Sequence, residues 1–277
     1  MTAIAIWCNH EIEHYPGLWI AADSRVSSSG SKLIDDAQKV FSLPITCKSP
    51  NADGFFTEVY HHHSYGYCFA GDTLLGQNAY LSLVPLLSNL VSTKRYTPSL
   101  ADVARYVMSY LSRTFDACKA IREKRSMFEV ALFGHCKVTN YLSAYHFMTR
   151  GQNDVSVHCE PHENMKEKDF LYLGDDDKKE QISSQIRAAF EAASAGRRLH
   201  RAPRYVIQDH IEDENSPSIG GGLQLGIADK LGFRTFPTCR PSASGLAIIT
   251  YLGRDLAPDL QYVGGPFGAL VASEAMA

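Results

Sequence analysis

The feature that most constrains this chain is the way its apolar residues change period in blocks. Short runs rich in β-formers come first: Thr2–Trp7 (TAIAIW), Leu18–Ala22 after a polar loop closed by Pro16-Gly17, Val40–Leu43 stopping at Pro44, and Tyr67–Ala70. From Asp72 the spacing lengthens. Asp72 is a cap for a helix carrying Leu74, Leu75, Ala79 and Leu83. Ser99 and Asp102 form a capping box with aspartate in the usual glutamate place, and Val103, Val107 and Leu111 continue an apolar stripe. Strand patterns return at 128–133, 141–147, 155–158 and 170–173. A third helix, capped by Asp177 with Glu180 three residues on, carries Ile182, Ile186 and Phe190 and stops at Gly196; a fourth runs from Arg204 to Ile211. Strands near 223–227, 233–236 and 246–251 follow the glycine run 220–222. Blocks of strands separated by pairs of helices predict stacked sheets covered by helices, not alternating βαβ units. Without a repeat or linker, the 277 residues are expected to form one domain over 1–277.

Composition narrows the partners. A net formal charge of −3 gives no basic footprint for nucleic acid or for an anionic membrane surface. The sequence has no apolar run near the roughly 18 residues of a membrane span. Its opening, MTAIAIWCN, lacks the basic region of a secretory signal. Seven scattered cysteines fit reduced intracellular thiols better than a disulfide framework. The expectation is a cytoplasmic protein that binds neither nucleic acid nor membrane.

His10-Glu11-Ile12-Glu13-His14 matches H-E-x-x-H, which on a helix places two imidazoles on one face for zinc. Here it sits between two strand patterns and is closed by Pro16-Gly17, so the expectation is a solvated hairpin tip. His61-His62-His63 and the cluster His158-Cys159-Glu160-Pro161-His162 could also bind metal, but each is read as a polar strand edge or a surface loop. Gly220-Gly221-Gly222 matches no phosphate-binding loop.

Thr2 is the better candidate for chemistry. A small side chain in second place permits removal of Met1, and the exposed threonine would then carry both a hydroxyl and an α-amino group. That amine, with an ordinary pKa of about 7.7–8.0, is a usable base at neutral pH.

The segments TAIAIW, GLWIAADSRVSSSG, DDAQKVFSLP and YCFAGDTLLG resemble, in order, the N-terminal part of proteasome β-subunit-type N-terminal nucleophile hydrolases. With Met1 directly before Thr2, the resemblance points to the bacterial branch without a propeptide. It implies an α+β fold: a four-layer αββα sandwich of two antiparallel sheets flanked by helix pairs. Carried over by position, Thr2 is the nucleophile, and Lys39 lies beside it, lowering the pKa of the amine and hydroxyl by its charge. Asp23 orients Lys39, Arg25 supports the turn around Asp23, and the Gly71 N–H faces the developing oxyanion. No metal or organic cofactor is implied.

The chain departs from the family twice. Where the family has Gly-Ser before the third helix, this chain has Gly174-Asp175. Asp175 is either a helix cap or, pointing inward, a carboxylate that raises the pKa of the amine and shifts activity to alkaline pH. The family's D-x-x-S-G-G loop reads here as Asp213 and Ser216 with the glycines three residues late. Either the loop has an insertion, or Ser218 and Gly220 take the relevant places and Asp213 does not take part.

The expected function is a threonine peptidase acting on peptides or unfolded protein, assembled as a homo-oligomeric ring or helix, with an ATPase unfoldase as a possible partner. Two alternatives keep the fold: a non-catalytic proteasome-like assembly subunit, and an amidohydrolase acting on a small amide.

Overall fold

The first two strand patterns pair as a hairpin. In the computed structural model, β1 (Ala3–Asn9) lies antiparallel to β2 (Gly17–Ala22), with Trp7 opposite Trp19. The structure describes residues 2–11, 16–28, 31–122, 128–151, 155–174, 176–192, 197–213, 216, 218–241, 247–265 and 268–271. A short ribbon, β3 (Val26–Ser28) with β4 (Ser31–Ile34), follows.

β5 (Val40–Pro50) and β6 (Phe56–Gly71) form a long hairpin leading into α1 (Thr73–Leu87). After β7 (Leu90–Val91) come α2 (Leu100–Arg122), β8 (Phe128–His135), β9 (Leu142–Arg150) and β10 (Ser156–His162). β11 (Phe170–Gly174) precedes α3 (Asp176–Ala192), the single turn α4 (Arg197–His200) and α5 (Ala202–Glu212). β12 (Gln224–Asp229) and β13 (Gly232–Phe236) complete a five-stranded antiparallel sheet in the order β11-β1-β2-β12-β13. The six-stranded sheet has the order β10-β9-β8-β6-β5-β7.

Two of the three helix-entry signals act as read; α3 begins at Asp176, so Asp177 lies inside its first turn and does not cap it. Asp72 accepts the Leu75 N–H at 3.1 Å, and the Ser99 hydroxyl and Asp102 carboxylate exchange bonds with each other's backbone N–H at 3.1 and 2.9 Å.

The pleat of β1 decides where the candidate nucleophile points. Ile4, Ile6 and Cys8 pack with Ala131, Phe133 and Leu173 between the two sheets, whereas Ala3, Ala5 and Trp7 pack with Ile186, Phe190 and Ile207 of α3 and α5. Side chains alternate along a strand, so Thr2 shares the side of Ile4 and faces the six-stranded sheet. The far face of that sheet buries Leu43, Tyr67 and Leu132 against Ala79, Leu83 and Val107 of α1 and α2.

The expected four-layer αββα sandwich, two antiparallel sheets each flanked by a helix pair, is corrected by this architecture. The chain is sheet-rich, with 43% strand against 29% helix. Among the described residues the strands fall into five sheets, β7 pairs with β5 in parallel, and α4 interrupts the second group of helices. Beyond β13 the chain adds β14 (Thr238–Pro241), β15 (Ala247–Tyr251) and β16 (Arg254–Asp255) as one sheet, and β17 (Tyr262–Val263) with β18 (Ala269–Leu270) as another.

Two physical reasons account for the strand content that the sequence hid. Pro44 does not end β5, because β5 has a second partner only at Cys47 and Lys48 and is an edge at Pro44, where a missing N–H is tolerated. β6 begins among polar and aromatic residues and runs through His61 and His62 while still partly exposed, so it lacks the apolar run that marks a buried strand.

Candidate active site

β1 delivers Thr2, the end of β2 delivers Asp23, and the start of β5 is preceded by Lys39. All three side chains are buried, with Lys39 only 1% and Asp23 0% exposed. Lys39 Nζ donates to Thr2 Oγ1 at 2.9 Å and to Asp23 Oδ1 at 2.8 Å. Asp23 Oδ1 also accepts the Ala3 N–H at 2.9 Å, while Oδ2 accepts from the N–H of Arg25 at 3.2 Å and of Gly220 at 3.3 Å. A buried carboxylate with these donors is a fixed charge, and it holds the lysine in one orientation.

Burial pushes the Lys39 ammonium below its ordinary pKa; Asp23 opposes this by charge and hydrogen bond, and the Arg25 charge adds to the lowering. An ammonium has no acceptor, so the Thr2 oxygen receives the hydrogen bond from Lys39. The threonine's own hydrogen is thereby left for a base elsewhere.

Arg25 makes contacts that the sequence did not indicate. Its Nε donates to Asp35 at 2.6 Å, and its Nη1 donates to the carbonyls of Ser216 at 3.2 Å and Ile219 at 3.4 Å. Those contacts carry the 216–222 loop to the site. The Gly222 N–H donates to Ser24 Oγ at 2.7 Å, and Ser24 in turn donates to the Asp35 carbonyl. Gly221 has φ +80°, and a Cβ there would lie 2.0 Å from the Asp35 carbonyl oxygen, so glycine is required.

The described residues of both readings of this loop are placed as follows. Gly220 reaches Asp23 through its N–H, and Ser218 is buried. Ser216 is also buried; its hydroxyl accepts from Lys178 at 2.8 Å. Asp213 caps the C-terminus of α5 and lies beside Gln181 and Gln185 of α3, and its carbonyl accepts the Ser216 N–H at 3.0 Å. Gly71 ends β6 directly before the α1 cap Asp72, with its backbone paired in register with Phe128. Asp175 lies outside the described residues, as do Met1 and Gly196.

Two contributors, Gln224 and Glu129, had no sequence motif, and Gly174 was noted only for its place before the third helix. Gln224, fully buried on β12, accepts from the N–H of Lys39 at 3.1 Å and donates to the Ala37 carbonyl at 2.7 Å, fixing the entry of β5. Gly174 pairs with Ala3, and a Cβ on it would lie 1.8 Å from the Thr2 carbonyl oxygen; no other residue fits there. Glu129 on β8 accepts the Gly174 N–H at 3.2 Å. Gln224 was legible only as a lone polar residue in an apolar run.

Of the H-E-x-x-H segment, His10 and Glu11 follow β1 outside any helix, and residues 12–15 lie outside the described residues. Glu11 accepts from Arg201 at 2.8 and 3.0 Å. Among the described residues no group of three or more His, Cys, Asp or Glu is arranged to hold a metal ion. No described helix is long and apolar enough to cross a membrane.

No protein-family model matches the chain, and no curated protein matches it. Solved structures do. A helical assembly of the Anbu complex from Pseudomonas aeruginosa is 14% identical, with a TM-score of 0.55 over 85% of this chain and 86% of that one. Anbu (ancestral beta-subunit) from Yersinia bercovieri is 14% identical, with a TM-score of 0.52 over 85% and 87%. An Anbu (Gly-1) mutant from Hyphomicrobium sp. strain MC1 is 15% identical, with a TM-score of 0.50 over 85% and 84%. At such identities the likeness concerns the fold. It also corrects the family expectation: the chain is similar to Anbu structures, and placement in the bacterial proteasome β-subunit branch is withdrawn. The motifs behind that placement are short turns around Asp23, Lys39 and Gly71, which mark a way of building a strand end rather than one branch.

Proposed function

We propose that this chain is a proteasome-like assembly subunit in which Thr2, once Met1 is removed, acts as an N-terminal nucleophile on amide bonds. The assembly part of this reading is supported by the likeness to Anbu structures, one of them described as a helical assembly. The catalytic part is supported by one observation: the buried chain from Asp23 through Lys39 to Thr2 Oγ1, with contacts of 2.8 and 2.9 Å. In this reading Lys39 polarises the hydroxyl, the Thr2 amine accepts its proton, and the oxygen attacks a peptide carbonyl. An ester acyl-enzyme forms, the proton passes to the leaving amine, and water then releases the acid. Peptides or unfolded protein are the proposed substrates.

An intact mass lacking Met1, followed by stoichiometric modification of Thr2 by an epoxyketone or β-lactone, is the expected result. A processed oligomer that takes up neither probe supports the second reading instead, a non-catalytic assembly subunit. That reading draws on the same Anbu likeness, which concerns fold and assembly rather than chemistry.

A further inference from the structure

The sheet of β14, β15 and β16 reaches the candidate site at the turn between its last two strands. Tyr251 pairs with Arg254, so Leu252 and Gly253 form a two-residue loop, and both have positive φ, +52° and +85°. Such a turn suits the twist of a hairpin. Glycine adopts this backbone freely, but leucine is strained there and stays only where its surroundings leave no alternative. The flanks of the turn are tied down. Tyr251 and Thr235 of β13 share a hydroxyl hydrogen bond of 2.7 Å, and Arg254 reaches Asp36 Oδ2 through Nε at 2.8 Å and Nη2 at 2.7 Å.

What the turn presses on is Ser24, the neighbour of Asp23. A Cβ on Gly253 would lie 2.3 Å from Ser24 Cβ and 2.5 Å from its Oγ, and a Cβ on Gly222 would lie 2.5 Å from the Gly253 carbonyl oxygen. Three stretches of backbone therefore meet around a serine that is fully buried. Its N–H donates to the Gly220 carbonyl at 3.1 Å, and its carbonyl accepts the Ala37 N–H at 2.9 Å, two residues before Lys39. Its Oγ accepts the Gly222 N–H at 2.7 Å and donates to the Asp35 carbonyl. The Gly220 N–H in turn reaches Asp23 Oδ2 at 3.3 Å. Gly253 covers this knot from the side of the last sheet.

We propose that Gly253 is a positioning residue for the Thr2 site: seated against Ser24, it holds Asp23, and through Asp23 the Lys39 ammonium, in the orientation that reaches Thr2 Oγ1. The effect on reaction rests on the reading of Thr2 as an N-terminal nucleophile; the seating of Asp23 and Lys39 does not. Any side chain at 253 must move the turn and Ser24 apart by about 1 Å to reach ordinary contact. The bonds from Gly222 to Ser24 and from Gly220 to Asp23 have less slack than that. Lys39 Nζ lies 2.8 Å from Asp23 and 2.9 Å from Thr2 Oγ1, so a shift of the carboxylate is carried to the threonine. The strain at Leu252 fits the same account, because the seat on Ser24 and Gly222 fixes the turn from outside.

The test compares Gly253→Asn with Leu252→Asn in the full chain. Asparagine tolerates a left-handed backbone, so both turns can close, and only the change at 253 adds atoms against Ser24. Hydrogen exchange read by mass spectrometry is expected to quicken about tenfold in segments 23–25 and 220–222 of Gly253→Asn, and to stay at the wild-type rate there in Leu252→Asn. Unchanged exchange in Gly253→Asn, or an equal rise over the whole chain, overturns the proposal. Uptake of a β-lactone at Thr2, resolved into affinity and maximal rate, should show the rate fall about tenfold with affinity unchanged; a fall in affinity alone also overturns it. Should Gly253→Asn not fold, the wild type decides. Segments 23–25 and 220–222 that open together with 247–255 support the proposal, and segments that stay protected while 247–255 opens refute it. A chain whose exchange behaves as expected yet takes up no probe refutes the catalytic function and not this role.

Discussion

Substituting Asp23 and Lys39 separately and together tests the centre of the site. The pair is 2.8 Å apart, with side chains 0% and 2% exposed, so neither charge can turn to water when its partner is lost. Asp23→Asn leaves the ammonium buried and unpaired, and its single oxygen cannot serve Lys39 and the N–H groups of Ala3, Arg25 and Gly220 together. Loss of one partner of a buried ion pair costs about 3–5 kcal/mol. Lys39→Met, which keeps the stem volume, leaves the carboxylate with its backbone donors and is expected at the lower end of that range. In the double variant no charge is stranded. Its destabilisation should fall short of the sum of the singles by about 2 kcal/mol or more. Urea unfolding followed by circular dichroism, at one protein concentration because assembly is coupled to stability, measures all three. Additivity within about 0.5 kcal/mol would show that the two groups do not act as a unit, and the argument for an oriented lysine would collapse.

Two further outcomes follow from the geometry. His63 is 2% exposed, donates through Nε2 to the His135 carbonyl at 3.0 Å, and is pushed by burial from the ordinary imidazole value to about 4. The unfolded chain therefore binds a proton that the folded chain refuses between about pH 6.5 and 4. The stability His63 contributes is complete above about 6.5 and falls through that window by about 3 kcal/mol, and His63→Phe should flatten this part of an unfolding-versus-pH curve. Gly174→Ala drives a methyl to 1.8 Å from the Thr2 carbonyl oxygen at φ +136°. It should abolish probe uptake at Thr2 and destabilise by more than about 3 kcal/mol in urea titrations; a variant that labels at the wild-type rate would refute the close packing of β11 on β1.

How far the sequence could be read depended on how local the physics was. β1 was legible because its run from Ala3 to Cys8 is buried and apolar enough to stand out, and α1 and α2 because their caps act within three residues. The span of β6 was hidden, since half of its sixteen residues lie on a partly exposed hairpin arm whose pairing with β5 is decided at a distance. The same contrast holds in the site. Thr2, Asp23 and Lys39 announced themselves through short turns at fixed places. Glu129 is one acid in the strand FEVALFGH, and only the meeting of the two sheets gives it Gly174 and His146 as neighbours. The late glycines of the 213–222 loop stayed ambiguous because register there is set by Arg25, some two hundred positions earlier in the chain.

That tie between Arg25 and the far loop makes the buried corner around Asp23 behave as a clamp with two jaws. Loosening either jaw, by lengthening the loop after Ser216 or trimming the guanidinium, removes the Gly220 hand from Asp23 and lets the lysine swing. Evolutionary or engineered changes to the outer loop would therefore be felt at the threonine, although they touch nothing that a substrate would meet.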